Sequence, residues 1–301
     1  MTAPVIRGPI TRVLNELDLT RRGLLRKLEG LFDSKVIAYS ANPNASPNFI
    51  DQNDPVFLND VLEAVGKCKK LDFIIDSPGG DPNIAEKISV MCRNFCETLR
   101  VVVPNSAKSA ATMIALSADE IVMGYLSEIG PIDPQIRVVN PQGQITYVPA
   151  QSIIDSIGLL HNAMQQGIDH RAIIALIQRL DPAIIDVASK SITFSKNFAE
   201  TYLSKHMLLH NPEKAKEVAE ALSDNRRWLS HGKRIGAKEA RELGLRVTEI
   251  GNEDDSWKTL WEYYSRVQIY LNNMAVVKLF ECADIGLTYG VGAGPPQQPR
   301  R

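Results

Sequence analysis

The chain has 301 residues, 44% of them hydrophobic, and its 34 Lys and Arg against 35 Asp and Glu leave a net charge of −1. That length supports a sizeable core, in one large domain or two small ones. The balanced charge argues against nucleic acid or an anionic membrane as the main partner.

The cysteines, Cys68, Cys92, Cys96 and Cys282, are too few and too scattered for a disulfide framework, which fits a reducing, cytoplasmic setting. Cys92 and Cys96 fall on one predicted helix with no third ligand close in sequence, so packing is expected there and no metal or cofactor. The N-terminal stretch MTAPVIRGPITRVLNELDLTRRG is too polar for a signal peptide. No apolar run approaches the roughly 18 residues that a membrane span needs. His206 and His210 stand four apart without the acidic residue a zinc-protease helix carries, and His161, His170 and His231 fit no metal spacing.

In chain order, Leu24, Leu25, Leu28, Leu31 and Phe32 mark an amphipathic helix over 20–32. VIAYSA (36–41) reads as a strand, ANPNASPNFIDQNDP as a loop, and VFLNDVLEAVGKC as a helix ending near Gly66. LDFIID (71–76) is a strand; a helix over 82–99 follows, with Asp81 as N-cap and Pro82 in its first turn. RVVVP (100–104) is a strand, SAATMIALSA a short helix, and EIVMG (120–124) another strand. Apolar strands alternating with helices predict an α/β fold whose mainly parallel sheet is covered on both faces. Ligand sites in such sheets lie at the carboxyl ends of the strands, where DSPGG and PNSAKSAAT both fall.

Beyond Gly130, QIRVVNPQGQITYV reads as a hairpin turning at Asn140-Pro-Gln-Gly, and 150–222 as mostly helical. GAKEARELGL is a short helix ending at Gly244, RVTEI a last strand, 256–280 one long amphipathic helix, and GPPQQPRR a disordered tail. The predicted units are an N-terminal helical extension (1–35), an α/β domain (36–251), a C-terminal amphipathic helix (252–290) and the tail (291–301).

Acyl transfer needs a nucleophile, a base and donors for a developing oxyanion. Ser109 stands where a strand has ended and a helix begins, beside the small residues Ala110 and Ala111. Gly79 and Gly80 let a backbone N–H come close to a substrate, so DSPGG can supply one half of an oxyanion hole and the Ala110 N–H the other. The plainer alternative stays open: SPGG as a turn, Ser109 as an N-cap.

DFIIDSPGG (72–80), VVVPNSAKSAATMIALSADEIVMG (101–124) and EIGPIDPQI (128–136), in this order and spacing, resemble the Clp-fold serine peptidases. This superfamily holds the Clp protease proteolytic subunit and signal peptide peptidase A, and the likeness is nearest to its serine dehydrogenase proteinase family. RIGAKEARELGLRVTEI (234–250) is similar to the closing helix and strand of that fold. The resemblance covers about two thirds of the chain and omits the first and last helices. It implies a Clp/crotonase-like superfold with extra N-terminal and C-terminal helices, and a serine peptidase with Ser109 as nucleophile and Gly79, Gly80 and Ala110 around the oxyanion. The family's serine is followed by two glycines and a threonine; here the order is Ser109-Ala110-Ala111-Thr112, which narrows the pocket.

Clp subunits take their base from a histidine some 25 residues past the serine, where this chain has Pro134 and Gln135. The other branch uses a lysine. No lysine occurs between Lys108 and Lys190, so Lys190 is the base expected, and a neutral lysine requires burial or a nearby cation. Lys108 adjoins the serine and is expected to point elsewhere; Asp133 reads as a turn residue in the substrate channel or an oligomer contact. No phosphate-binding G-x-x-x-x-G-K-[ST] loop is present, so any ATP dependence belongs to a partner.

Trp257, Leu260, Tyr264, Val267, Leu271 and Met274 repeat at spacings of three and four, a heptad seam that suits either the chain's own core or another protein. The expected partners are a peptide or protein substrate and further copies of this chain, with the last helix as the contact, and neither nucleic acid nor membrane. Two other functions stay open: a catalytically degenerate assembly or interaction module, and a crotonase-like acyl-CoA enzyme that uses the oxyanion hole without the serine.

Overall fold

The strands expected from the apolar runs form, and they pair in parallel. The computed structural model describes residues 9–139, 143–167, 170–177 and 181–290. The readings for the start of the chain, the hairpin turn at 140–142 and the tail at 291–301 lie outside them. The elements begin α1 (Pro9–Phe32), β1 (Lys35–Ala41), α2 (Asp54–Val65), β2 (Cys68–Asp76), α3 (Pro82–Phe95), β3 (Cys96–Val103), β4 (Ser106–Ala107), α4 (Ala110–Leu116), β5 (Glu120–Met123) and β6 (Glu128–Ile129). A hairpin of β7 (Gln135–Val139) and β8 (Ile145–Pro149) leads to α5 (Ala150–Gln165), α6 (His170–Ile177), α7 (Pro182–Lys205), α8 (Pro212–Ser223) and α9 (Asn225–Trp228). The chain closes with α10 (Ala237–Leu243), β9 (Val247–Glu249), α11 (Asp255–Asn273), β10 (Val276–Cys282) and β11 (Gly286–Gly290).

The main sheet has the order β11-β10-β1-β2-β3-β5-β9. From β1 to β9 every pairing is parallel, while β10 runs antiparallel to β1 and β11. Successive side chains leave a strand on opposite faces. Ile37, Tyr39, Phe73, Ile75, Val101, Val103, Ile121 and Met123 therefore meet one core, shared with α2, α3, α4, α7, α8 and α10. Val36, Ala38, Ile74, Val102 and Val122 meet a second, formed with α1 and α11. The strands read as continuous apolar runs because both faces are covered. Local signals hold where chemistry forces them: the Asp81 carboxylate accepts from the Asn83 N–H to cap α3, and Gly244 closes α10 at φ 109°.

Three expectations are corrected. The third helix stops at Phe95, and Cys96 to Val103 is strand, because Thr98 and Val101 to Val103 suit a ladder and Cys96 pairs opposite Cys68. Cys92 and Cys96 thus do not share a helix. The last helix ends at Asn273, and the residues from Val276 form a fully buried strand beside β1 in place of further helix. Ala275, with φ 52°, makes the break. The heptad seam is covered by this chain: Trp257, Leu260, Val267 and Leu271 are buried with Leu25 and Leu28 of α1 and the second face of the sheet. Tyr263 takes the place in that stripe expected of Tyr264, and Met274 lies exposed beyond the helix end. A sheet with one face bare needs a cover, and α1 and α11 supply it, so most of the stripe packs on this chain's own sheet. Among the described residues no helix is long and apolar enough to cross a membrane.

Candidate active site

Four stretches far apart in sequence meet through a small second sheet. The Ser77 N–H donates to the Ser106 carbonyl (2.9 Å) and the Lys108 N–H to the Ser77 carbonyl (3.0 Å). β4 runs parallel to β6, and Ile129 and Ile235 exchange N–H to carbonyl bonds of 3.0 Å in both directions. DSPGG, the approach to Ser109, EIGPID and RIGAKE thereby share one edge. The Thr112 hydroxyl tightens it, donating to the Ala107 carbonyl (2.6 Å) and accepting from the Gly130 N–H (3.1 Å). Below lies Asp76, whose carboxyl accepts from the Ser106 N–H (3.1 Å), Asn105 (3.2 Å) and Gln268 (3.1 Å). Burial pushes its pKa up to about 6, against the lowering effect of the Ser106 and Asn105 bonds.

Ser109 has φ 52° and ψ −118°, and its hydroxyl makes no cap bond to α4. A non-glycine residue with positive φ is strained, and such strain gathers where a side chain must be presented at a fixed angle. The backbone in front of it is made for close approach. Gly79 has φ 101°, and a Cβ there would stand 2.6 Å from the Lys108 carbonyl and 2.8 Å from the Ser109 Cβ. Gly80 has φ 153°, and a Cβ there would overlap the Ile50 backbone. Ile50 clamps this turn: its N–H donates to the Gly79 carbonyl (2.8 Å) and its carbonyl accepts from the Asp81 N–H (2.9 Å). The Gly79 N–H is used internally, on the Ser77 hydroxyl at 3.2 Å. The Gly80 and Ala110 N–H groups have no partner among the described residues.

Ser109 opens onto a cavity of about 740 Å³, lined also by Gly80, Ala110, Lys190 and His231, with Phe49, Met113, Ile132, Tyr147 and Phe194 as its apolar wall. Of the expected site residues, Ser109, Gly80, Ala110 and Lys190 all line it, and Gly79 packs behind Ser109. Lys190, however, is 75% exposed and holds Asp186 at 2.6 Å, one helical turn earlier. Lys108 turns away, its ammonium on Glu128 (2.8 Å) and on the carbonyls of Lys233 (3.2 Å) and Ile129 (3.3 Å). The sequence reading missed a pair that reaches the same cavity through His231. His231 meets Asp133 at 2.8 Å through Nδ1, across 98 positions of sequence, so no local spacing could have signalled it. Among the described residues no group of three or more His, Cys, Asp or Glu could hold a metal ion.

The family model of the ClpP-like SDH-type serine proteinases matches residues 11–274. The chain belongs to that family. Two uncharacterized proteins of Methanocaldococcus jannaschii are similar to it. One is 32% identical over 258 residues, covering 83% of this chain and 80% of the relative. The other is 29% identical over 177 residues, covering 59% of this chain and 51% of the relative. Among solved structures, an alanine mutant of the 1510-N membrane-bound stomatin-specific protease aligns at 15% identity, TM-score 0.43, over 69% of this chain and 76% of that one. ClpP1 from Listeria monocytogenes aligns at 13% identity, TM-score 0.39, over 75% and 96%. The family is one of serine proteinases, so the cavity at Ser109 belongs to a chain of serine peptidase type.

Proposed function

We propose that the chain hydrolyses peptide bonds through an acyl-enzyme on Ser109. The observation that carries this is the strained Ser109, its hydroxyl free of the helix, at a cavity also lined by Gly80 and Ala110, whose N–H groups have no partner among the described residues. The Ser109 Oγ attacks the peptide carbonyl carbon while its proton passes to a base. The Gly80 and Ala110 N–H groups receive the oxyanion, and Gly79, by lacking a Cβ, lets that strand lie against Ser109. Collapse releases the amine with that proton and leaves an ester, which water then cleaves to a carboxylate and free serine. The apolar wall of the cavity favours substrates with a large apolar side chain beside the scissile bond.

Ala110 and Ala111 in place of glycines do not block this chemistry. Both lie in α4 without positive φ, so their backbone asks for nothing that alanine lacks. For the base, the resemblance supplies Lys190, and its position on the cavity wall supports that role; its exposure and its bond to Asp186 do not. The homo-oligomer expected from the resemblance stays part of this proposal, with the buried seam of the last helix packed on the chain's own sheet. The test is reaction with a fluorophosphonate probe followed by identification of the modified residue. Labelling at Ser109, lost in Ser109→Ala, is the expected result; labelling at another serine, or none, overturns the reading.

A further inference from the structure

We propose that Ser195 sets the specificity of the cavity at Ser109, by hydrogen bonding to the hydroxyl of a tyrosine side chain beside the scissile bond. This rests on the reading of Ser109 as nucleophile, and it narrows the substrates from large apolar side chains to a phenol. The residues that α7 buries are Ala188, Ser195, Phe198, Ala199 and Leu203, and only Ser195 among them is polar. It is 4% exposed and lines the cavity. Other buried serines are satisfied inside the chain: Ser89 donates to the Ala85 carbonyl (2.9 Å) and Ser117 to the Ile114 carbonyl (2.7 Å). Thr193, two residues before Ser195, donates to the Ser189 carbonyl (3.0 Å). The Ser195 hydroxyl has no such partner among the described residues. A buried hydroxyl without a partner is unfavourable, and whatever fills the cavity can supply one.

The fold brings this hydroxyl within the substrate's path. The Met113 N–H donates to the Ser109 carbonyl (3.1 Å), so Met113 stands one turn of α4 below the nucleophile. Met113, Ile132 and Phe194 line the cavity together with Ser195, and Met113 and Ile132 are each 2% exposed. α4 packs against α7. In the proposed complex the side chain behind the carbonyl held at Ser109 therefore passes Met113 and meets α7 at Ser195. A phenylalanine ring there satisfies the apolar wall and leaves Ser195 sealed off and unpaired. A tyrosine ring satisfies the same wall, and its O–H can donate to Ser195 or accept from it. A charged side chain would lose its water against Met113, Ile132 and Phe194.

The experiment uses the full chain, a fluorophosphonate probe and two peptides that differ only in tyrosine or phenylalanine beside the scissile bond. In the wild-type chain kcat/KM for the tyrosine peptide should exceed that for the phenylalanine peptide by about 10-fold or more, because phenylalanine leaves a buried hydroxyl unpaired. Ser195→Ala should bring that ratio to about one, slowing the tyrosine peptide and speeding the other. Both peptides are read on one preparation, so the ratio does not depend on how much of it is folded. Ser195→Thr keeps a hydroxyl and should keep a preference for tyrosine, which separates loss of the bond from repacking of the cavity. With labelling at Ser109 intact, three results overturn the proposal and leave the nucleophile standing. They are no preference for tyrosine in the wild-type chain, cleavage of neither peptide, and a preference that Ser195→Ala leaves unchanged. A wild-type chain that does not label at Ser109 overturns the nucleophile and this specificity together.

Discussion

Strand β10 places one buried charge on each face of the sheet, and the two are used differently. On the face shared with α2, Lys278 is fully buried and donates to Asp51 and Asp54, each at 2.7 Å. On the other face Glu281 is equally buried and accepts from Arg21 of α1 (3.2 Å) and Tyr263 of α11 (2.8 Å). Each is an ion pair removed from water, where breaking one partner costs far more than the pair contributes. The Glu281 pair joins the two covering helices to the sheet, Arg21 also bonding Asp18 of its own helix at 2.6 Å. The Lys278 pair fixes Asp51, the neighbour of Ile50, and Ile50 holds Gly79 and Gly80 in front of Ser109. One charge therefore supports the fold alone; the other supports the fold and the site.

The two carboxylates on Lys278 shift in opposite directions although the ammonium lowers the pKa of both. At Asp54, which is 1% exposed, burial wins and raises the pKa. At Asp51, 31% exposed, burial also opposes ionisation, but the bonds from Lys278 and the Asn53 N–H prevail and lower it.

The largest effect separates chemistry from stability altogether. Ser109→Ala should abolish peptide hydrolysis, a loss of about 10³-fold or more. Its thermal unfolding should stay where the wild-type chain's is, because alanine fits the same backbone. Unchanged turnover would place the chemistry elsewhere.

Lys278→Met comes next and tests the contrast between the charges. It leaves Asp54 buried without its partner, and removal of one member of such a pair costs about 3–5 kcal/mol. The same variant should lower kcat at temperatures where it remains folded, because the turn at Gly79 and Gly80 loses its brace. Arg21→Met should destabilise by a similar amount and leave kcat unchanged. Denaturant unfolding and steady-state kinetics on both variants decide it, and a matched loss of kcat would dissolve the distinction.

Leu271→Ala removes a fully buried side chain from the covering helix. The expected cost is about 2–5 kcal/mol, with the mass in solution unaltered, since Leu271 packs on this chain's own sheet. Light scattering that showed dissociation would return the seam to an interface between subunits.

What the sequence could reveal follows the same division. DSPGG, the serine and the strands β1, β2 and β5 were legible because short-range pattern determines them: apolar runs, a proline at the first helical turn, glycines where φ is positive. β10 was not legible. In VVKLFEC a lysine and a glutamate interrupt the apolar run, and they are tolerable in a buried strand only because Asp54 and Arg21 meet them from far away in sequence. Lys190 was chosen by elimination, as the first lysine beyond Lys108, and a neutral amine there required burial or a nearby cation. Val187 instead lies exposed, and so does that face of α7. The His231–Asp133 pair exists only through the β4–β6–Ile235 stitching, which no local spacing announces.

The smallest effect concerns Asp76, under the second sheet, where α11 reaches the site's side of the molecule through Gln268. Its folded pKa, raised to about 6 by burial from an ordinary 3.8, means that the native state holds a proton there that the unfolded chain has given up. Between those two values stability from this group falls as pH rises, and above about pH 6 the loss is complete and constant. At about 1.4 kcal/mol per pKa unit the full loss is at most about 3 kcal/mol. Asp76→Asn should remove that dependence. The amide can keep its carbonyl toward Asn105 and the Ser106 N–H and turn its NH₂ toward Gln268, whose own amide flips to present oxygen. Denaturant unfolding of both proteins at pH 4.5 and 7.5 should show the variant gaining on the wild-type chain as pH rises. If the difference between them is the same at both pH values, Asp76 is ionised throughout, and the polar groups around it outweigh its burial.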